Sequence, residues 1–432
     1  MEYRTLGERY ADYLNLHTLY TLRIIGRKFG VPQSTSRKKE PLIDGLVKVL
    51  TGEVAPVPPN GKGAKAKQSY VDPEILQKLE EIRASANEEI RLEVGSCQPS
   101  FSEYDLPVFC GFLEITKGEY GILHACKGKG DVFVKDSDVA KYRLRQGDKV
   151  SCHVAETEKG MRLSEVLTVN GLSIGSYEDR TVFEEVPAHY PTERVLLGGS
   201  GDDDLKTVDM FAPIGKGQRA VILSKSEEAQ ETLLKKITAA FANTEEFSSL
   251  VYLVGVAPEA VTEFKTDLFG VEVFSATFEE TRAEQVKKAE LVLNYAKRLV
   301  ECGKDVFLAV NSLNALARAY ESTEGNEAGA LRFFGAARKI KNWGSLTIVA
   351  ILKDDEEARR FLGTENCKIF CNQNGVELRS ETKKEDLLLT AEERAFAQKA
   401  RNADENEREK MLSDLCSSAN HSAILRKYGK GK

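Results

Sequence analysis

Between residues 208 and 389, short apolar runs alternate with helical segments, and this pattern restricts the fold more than any other feature of the chain. The strand-like runs are Ala220–Ser224, Leu250–Val256, Gly270–Thr277, Asp305–Asn311 and Ser345–Lys353. Helical patterns near Glu227–Ala242, Ala283–Glu301 and Leu313–Tyr320 separate them. Apolar strands of this kind, each followed by a helix, pack as a parallel sheet covered on both faces. The first strand runs into a helix near Ser226, the position at which nucleotide-binding α/β domains carry a phosphate loop. Such a loop needs glycines for close backbone approach, a lysine for the phosphates and a Ser/Thr hydroxyl for Mg²⁺. This chain has Ser224, Lys225, Ser226, Glu227, Glu228, Ala229, Gln230 and Glu231 there instead.

Upstream, residues 109–172 read as five short strands separated by turn residues: GFLEI, EYGILHA, DVFVK, Asp148–Ala155 and Met161–Asn170. Strands of this length, rich in aromatic and β-branched residues, suggest an OB or cold-shock barrel, which binds single strands on exposed aromatics. Residues 14–52 form a small helical unit, with Leu16, Leu19, Leu22, Ile25 and Phe29 at helical spacing and Arg37-Lys38-Lys39 in its connection. That cluster suits either polyanion capture or plain solvation. Residues 53–72 are a Pro/Gly/Ala/Lys linker, a helix is expected from Pro73 to about Arg91, and 390–432 is a charged helical tail. Thr390-Ala391-Glu392-Glu393 reads as a capping box.

Net charge is −6, unpromising for a nucleic-acid binder, yet residues 1–70 hold roughly twice as many basic as acidic residues. No apolar run approaches the ~20 residues that span a bilayer, and the first residues lack the apolar core of a secretion signal. A cytoplasmic protein with no membrane partner is expected. The eight cysteines are scattered; Cys367 and Cys371 have no second pair to complete a zinc site, so no metal is expected and the thiols are read as reduced, buried or idle.

Specific segments carry a family resemblance. PIGKGQR (Pro213–Arg219), Pro258-Glu259-x-Val261-Thr262-Glu263, FSATFEE (Phe274–Glu280), AKRLVE (Ala296–Glu301), LARAY (Leu316–Tyr320), RFFGAAR (Arg332–Arg338) and GSLTIVA (Gly344–Ala350) follow one another as in the bacterial transcription termination factor Rho family. VFEEVPAHYPTERV (Val182–Val195) resembles its linker and DSDVAKYRLRQGDKV (Asp136–Val150) its barrel. The resemblance spans roughly residues 15–390. It implies a multidomain fold: an N-terminal helix–loop–helix module, an OB/cold-shock-like barrel and a RecA-like α/β ATPase-type domain with a parallel sheet. It implies single-stranded RNA as partner and assembly into a ring, hexameric in the family, of identical subunits or mixed with an active Rho. Tyr120 and Phe133 match the family's stacking aromatics and are the candidate platforms, with barrel core as the alternative place for both. Ile122 stands where a second aromatic is expected and His124 where a basic residue is, with Arg143 and Arg145 as backbone contacts.

The same resemblance exposes what is missing. The family hydrolyses ATP with Mg²⁺ at subunit interfaces. Here Ala229, Gln230 and Glu231 replace the phosphate-loop glycine, lysine and threonine. Val256 replaces the catalytic glutamate, Ala257 its neighbouring arginine, Asn311 the metal-side aspartate and Ala315 an arginine directed at the adjoining site. One central-channel loop is reduced to Glu321–Leu331, a second is missing beyond Lys353, and the stretch for an arginine finger, Asn372–Asp386, keeps only Arg379. Glu227, Glu228 and Glu231 suit a helix N-terminus but repel a triphosphate placed on the same dipole. No cofactor is therefore expected, and the leading reading is an RNA-binding pseudo-ATPase that regulates termination. The alternatives are a divergent active helicase relying on Lys225, and a self-assembling protein that has abandoned nucleic acid.

Overall fold

The computed structural model describes residues 6–50, 75, 79 and 108–428, apart from 16, 30, 32–36, 117, 119, 127–129, 158–159, 178–179, 245, 269, 342, 355–360, 362 and 419–420. The chain forms two compact units, Met1–Asp105 and Leu106–Lys432. The expected linker at 53–72 and nearly all of the helix from Pro73 lie outside the described residues.

The first unit contains α1 (Leu6–Asn15), α2 (Leu19–Lys28) and α3 (Lys39–Leu50). α1 is an element the sequence reading lacked. Thr18 ends the apparent continuity with Leu16, because its hydroxyl accepts from the Thr21 amide and starts α2. Tyr10, Leu14, Leu22, Ile25, Leu42, Ile43 and Leu46 make the core. Two of the clustered cations are partly engaged: Arg37 donates to the Pro41 carbonyl and Lys39 to that of Asn15.

The second unit begins with a barrel: β1 (Val108–Ile115), β2 (Gly121–Ala125), β3 (Asp131–Val134), α4 (Asp136–Lys141), β4 (Lys149–Thr157), β5 (Gly160–Val169) and a short β6 (Leu172–Ser173). The strand order is β3-β2-β1-β4-β5-β6, and a parallel pairing of Phe133 with Arg162 joins β3 to β5 and closes the barrel. Alternation decides what fills it: Val132 and Val134 point inward with Leu113, Leu123, Val150, Val154 and Leu163, while Asp131 and Phe133 point out.

After β7 (Ala188–His189) and α5 (Asp203–Phe211) comes the α/β domain. It consists of β8 (Arg219–Ser224), α6 (Glu227–Ala242), β9 (Phe247–Val256), α7 (Pro258–Asp267), β10 (Glu272–Thr277), α8 (Arg282–Glu301), β11 (Asp305–Val310), α9 (Leu313–Glu324), α10 (Ala328–Gly335), β12 (Arg338–Ile340), β13 (Ser345–Lys353), β14 (Cys367–Asn372), β15 (Gly375–Val376) and β16 (Glu381–Thr382). The central order β10-β9-β11-β13-β8-β14 is parallel throughout. One face buries Val292, Leu299 and Leu316 from α8 and α9, the other Leu234, Ile237 and Phe241 from α6 with Phe264 from α7. Both faces of every inner strand are therefore apolar, the requirement that the sequence alternation anticipates.

Three helices follow: α11 (Ala391–Asn402), α12 (Glu405–Ser417) and α13 (His421–Tyr428). The expected capping box is formed between Thr390 and Glu393. Phe396, Ala397, Ala400, Met411, Leu415 and Ile424 close over Met210 and Phe211 of α5, and Arg401 donates to the Leu378, Phe211 and Ser380 carbonyls. None of the described helices is long and apolar enough to cross a membrane.

Buried charge joins the barrel to the α/β domain. Asp148, at the start of β4, is fully buried and takes both Arg180 nitrogens, at 2.5 and 2.7 Å. Glu301, the last residue of α8, is also fully buried and accepts from Arg145, Arg298 and the Phe183 amide. Removing one member of such a pair strands the other charge in the interior, at a cost of roughly 3–5 kcal/mol. Arg180→Met should therefore lower the free energy of unfolding by that amount and bring down the urea midpoint, read by tryptophan fluorescence and circular dichroism. An unchanged midpoint would show that Asp148 reaches water or another partner.

Candidate nucleic-acid interface and a closed nucleotide site

On the barrel, Tyr120 and Phe133 are 39% and 42% exposed, and neither belongs to the barrel core. Their ring centroids are 5.3 Å apart with planes inclined by 38°, a pair of partly open faces against which bases can stack. Ile122 lies directly opposite Phe133 in the β2–β3 register and is half-buried. It extends the apolar floor without adding a ring.

The expected cations divide. His124 is held between two carboxylates, Nε2 at 2.5 Å from Glu114 and Nδ1 at 3.0 Å from Asp131, while Lys287 from α8 pairs with Glu114. Its ring is thus committed within an acidic pair instead of standing open as a basic contact. Arg143 is exposed, in a left-handed conformation at φ 47°, and its carbonyl accepts from Arg180. Arg145 is placed otherwise than expected. Its guanidinium turns inward to Glu301 at 3.0 Å and to the Thr181 carbonyl, so it serves the interdomain contact. Arg162 was missed: it is exposed and registered beside Phe133 across the barrel seam. The alternation in MRLSEVL, which sends Leu163 inward, is the signal that could have found it.

In the α/β domain, β8 ends at Ser224 and α6 begins at Glu227, leaving only Lys225 and Ser226 between them. The positions that would wrap a phosphate are instead the first turn of a helix. Ser226 caps it, its hydroxyl accepting from the Ala229 amide, and Ser224 Oγ accepts from the Ser226 amide. Gln230 is 2% exposed, and its side-chain amide lies 3.0–3.3 Å from the carbonyls of Ile222, Ser224 and Leu352. It ties the ends of β8 and β13 together where a phosphate-binding lysine would reach outward. Glu231 pairs with Lys235 one turn on, and Ala229 packs against the apolar core of that face.

The remaining positions have also become structural. Asn311 accepts from the Val254 amide at 2.7 Å and donates to its carbonyl at 3.3 Å, tying β11 to β9. Val256 lends its carbonyl to the Phe278 amide, and Ala257 precedes α7 with no side chain to cap it. The Ala315 amide is capped by Ser312, and the neighbouring Asn314 accepts from the Lys353 amide. A cleft of about 380 Å³ remains among Glu227, Glu231, Asn311, Ala315, Arg318 and Lys353. Lys353 pairs with Glu227 there. Lys225 lines a different hollow with Asp354 and Arg379, and Arg379 pairs with Glu377 while lying over the Phe370 ring. These residues do not fit a Mg²⁺–nucleoside triphosphate. The phosphate cradle is helical, the metal-side carboxylate is an amide bonded to backbone, and carboxylates front the helix dipole.

A five-stranded OB-type barrel followed by a parallel-sheet α/β domain defines a protein of the nucleic-acid-binding, RecA-like class. The profile of the Rho termination factor RNA-binding domain matches residues 109–174, and that of the ATP synthase alpha/beta family nucleotide-binding domain matches residues 204–326. Transcription termination factor Rho of Allochromatium vinosum is 33% identical over 321 residues, covering 65% of this chain and 77% of its own. That of Escherichia coli K12 is 33% identical over 325 residues, covering 66% and 77%. The chain belongs to the transcription termination factor Rho family. A solved type III secretion ATPase of pathogenic bacteria aligns with 58% of this chain and 89% of its own at 17% identity and a TM-score of 0.46, too low to add weight.

Because the Gln230 amide donates to buried carbonyls at the strand ends, Gln230→Ala should cost about 1–3 kcal/mol of stability in denaturant titration. The triple substitution Ala229→Gly, Gln230→Lys, Glu231→Thr should give no phosphate release from ATP, since the connection into α6 stays too short. Turnover in that variant would mean the loop opens on its own.

Proposed function

We propose that this chain is an RNA-binding, non-hydrolysing member of the Rho family that modulates Rho-dependent termination. It does so by entering rings with an active Rho or by competing with it for transcript. The observation that carries the reading is the short β8–α6 connection with Gln230 bonded into the strand ends. Retention of both apolar faces of the sheet supports a scaffold kept for assembly rather than catalysis.

On the barrel, Tyr120, Ile122 and Phe133 offer the stacking surface, and Arg143 and Arg162 are the exposed arginines for the phosphates. With His124 between carboxylates and Arg145 turned inward, fewer cations face the strand, so RNA binding is weaker than a full complement would give and retains a salt dependence. In a ring motor each interface takes groups from two neighbours. A subunit without a phosphate cradle therefore silences both interfaces it shares.

Tyr120→Ala and Phe133→Ala should each weaken single-stranded RNA binding by about 1–3 kcal/mol, read by fluorescence anisotropy across a salt series; an unchanged Kd in the double variant would remove this face from consideration. Titrating the protein into the RNA-stimulated ATPase of an active Rho from the same organism tests the regulatory role. A steep fall at substoichiometric ratio means mixed rings, and a fall relieved by extra RNA means competition. Unaltered Rho turnover at excess protein would rule out both routes.

A further inference from the structure

Two cysteines face each other at the end of the β1–β2 ladder. Gly111 pairs with Ala125 in antiparallel register, and one step further the Cys126 amide donates to the Cys110 carbonyl at 2.9 Å. Directly opposed residues of that hydrogen-bonded kind have Cα atoms about 5.5 Å apart. That lies inside the range of roughly 4.4–6.8 Å that a disulfide spans. The two sulfurs are 3.3 Å apart, in hydrogen-bonding contact as thiols. Both residues are half-buried, whereas Cys152, Cys367 and Cys371 are buried.

The surroundings give the two thiols different roles. The Cys126 hydrogen bond, then Ser151 and the Lys149 charge, hold Cys110 below the ordinary thiol range, at about 6, against the opposing effect of burial. Cys126 is pushed up, chiefly because it keeps the shared proton and partly by burial. Burial pushes Cys152 and Cys367 up to about 12 and Cys371 to about 11. One accessible sulfur thus carries thiolate character beside a second sulfur that can resolve it.

We propose that Cys110 and Cys126 form an oxidation site that reacts with a hydroperoxide and closes into a reversible disulfide. The Cys110 thiolate attacks the terminal peroxide oxygen; an S–O bond forms, the O–O bond breaks, and water or an alcohol leaves after taking up a proton. Cys126 then attacks the Cys110 sulfenic sulfur. The S–S bond forms, the S–O bond breaks, and the hydroxide departs as water with the Cys126 proton. Two thiols are oxidised by two electrons and the peroxide is reduced by the same two; a thiol reductant reverses the change by exchange.

The site lies on the strands that carry Glu114, Ile122 and His124. Cys126 packs against the α/β core, and Lys149 bridges from the barrel to Glu272 of β10 at 2.6 Å. Closing the disulfide pins β1 to β2 beside that interdomain contact and removes the thiolate that Lys149 faces.

The test exposes the full-length protein to equimolar hydrogen peroxide, blocks free thiols with iodoacetamide and measures intact mass and peptide maps. The expected product is about 2 Da lighter before alkylation and fails to alkylate at two of the eight cysteines. It contains a Cys110–Cys126 linked peptide that dithiothreitol releases. In Cys126→Ser the reaction should stop at a sulfenic acid on Cys110, trapped by dimedone, and Cys110→Ser should give neither product. Eight fully alkylated cysteines in the wild-type protein, or a disulfide that maps to another pair, would overturn the proposal; both readouts stand even if a variant fails to fold.

Discussion

The arrangement of the second unit depends on two carboxylates with no access to water. Asp148 and Glu301 lie on opposite sides of the junction between the barrel and the α/β domain, and each is stable there only while its arginines are in place. Desolvating a carboxylate costs several kcal/mol, and the return depends on geometry that a small rotation of the barrel would destroy. Around them the contact is apolar, with Phe112 of β1 against Phe274 and Tyr295. The aromatic cluster supplies adhesion and the ion pairs supply orientation. The direction in which Tyr120 and Phe133 face is thus fixed relative to the sheet.

At the sheet's C-terminal edge the residues at the β8–α6 junction and the end of β11 are not neutral. Gln230 and Asn311 are both amides bonded to backbone: Gln230 donates to carbonyls at the strand ends, and Asn311 both accepts from and donates to Val254. Ser226 and the acids behind it make a good helix start out of what the family keeps as an open loop. Each of these bonds holds the edge locally, so the same residues that fill the junction also tie the sheet together.

Much of this was legible in the sequence. Strand positions followed from apolar runs, the start of α6 from Ser226 followed by acids, and the Thr390 cap from its glutamate three residues on. Legibility failed where the deciding partner is remote. Arg145 looks like a surface cation in YRLRQGDKV, and Glu301, 156 residues away, draws it inward together with the Thr181 carbonyl. His124 depends in the same way on Glu114, brought opposite by β1. β14 was missed because CKIFCN is short and follows a charged stretch, and α1 because its polar residues mask Tyr10 and Leu14.

The three terminal helices look like a dispensable charged appendage by composition, with similarity fading beyond Leu389. Their inner surface says otherwise. Phe396, Met411 and Leu415 are the lid over Met210 and Phe211, and Arg401 satisfies three carbonyls that would otherwise meet water or nothing. A chain ended where the family resemblance stops would therefore display a greasy patch on α5 next to loose backbone at Ser380. Such a fragment is a poor reporter of the whole protein's solubility or self-association, because stickiness created by the cut would pass for assembly.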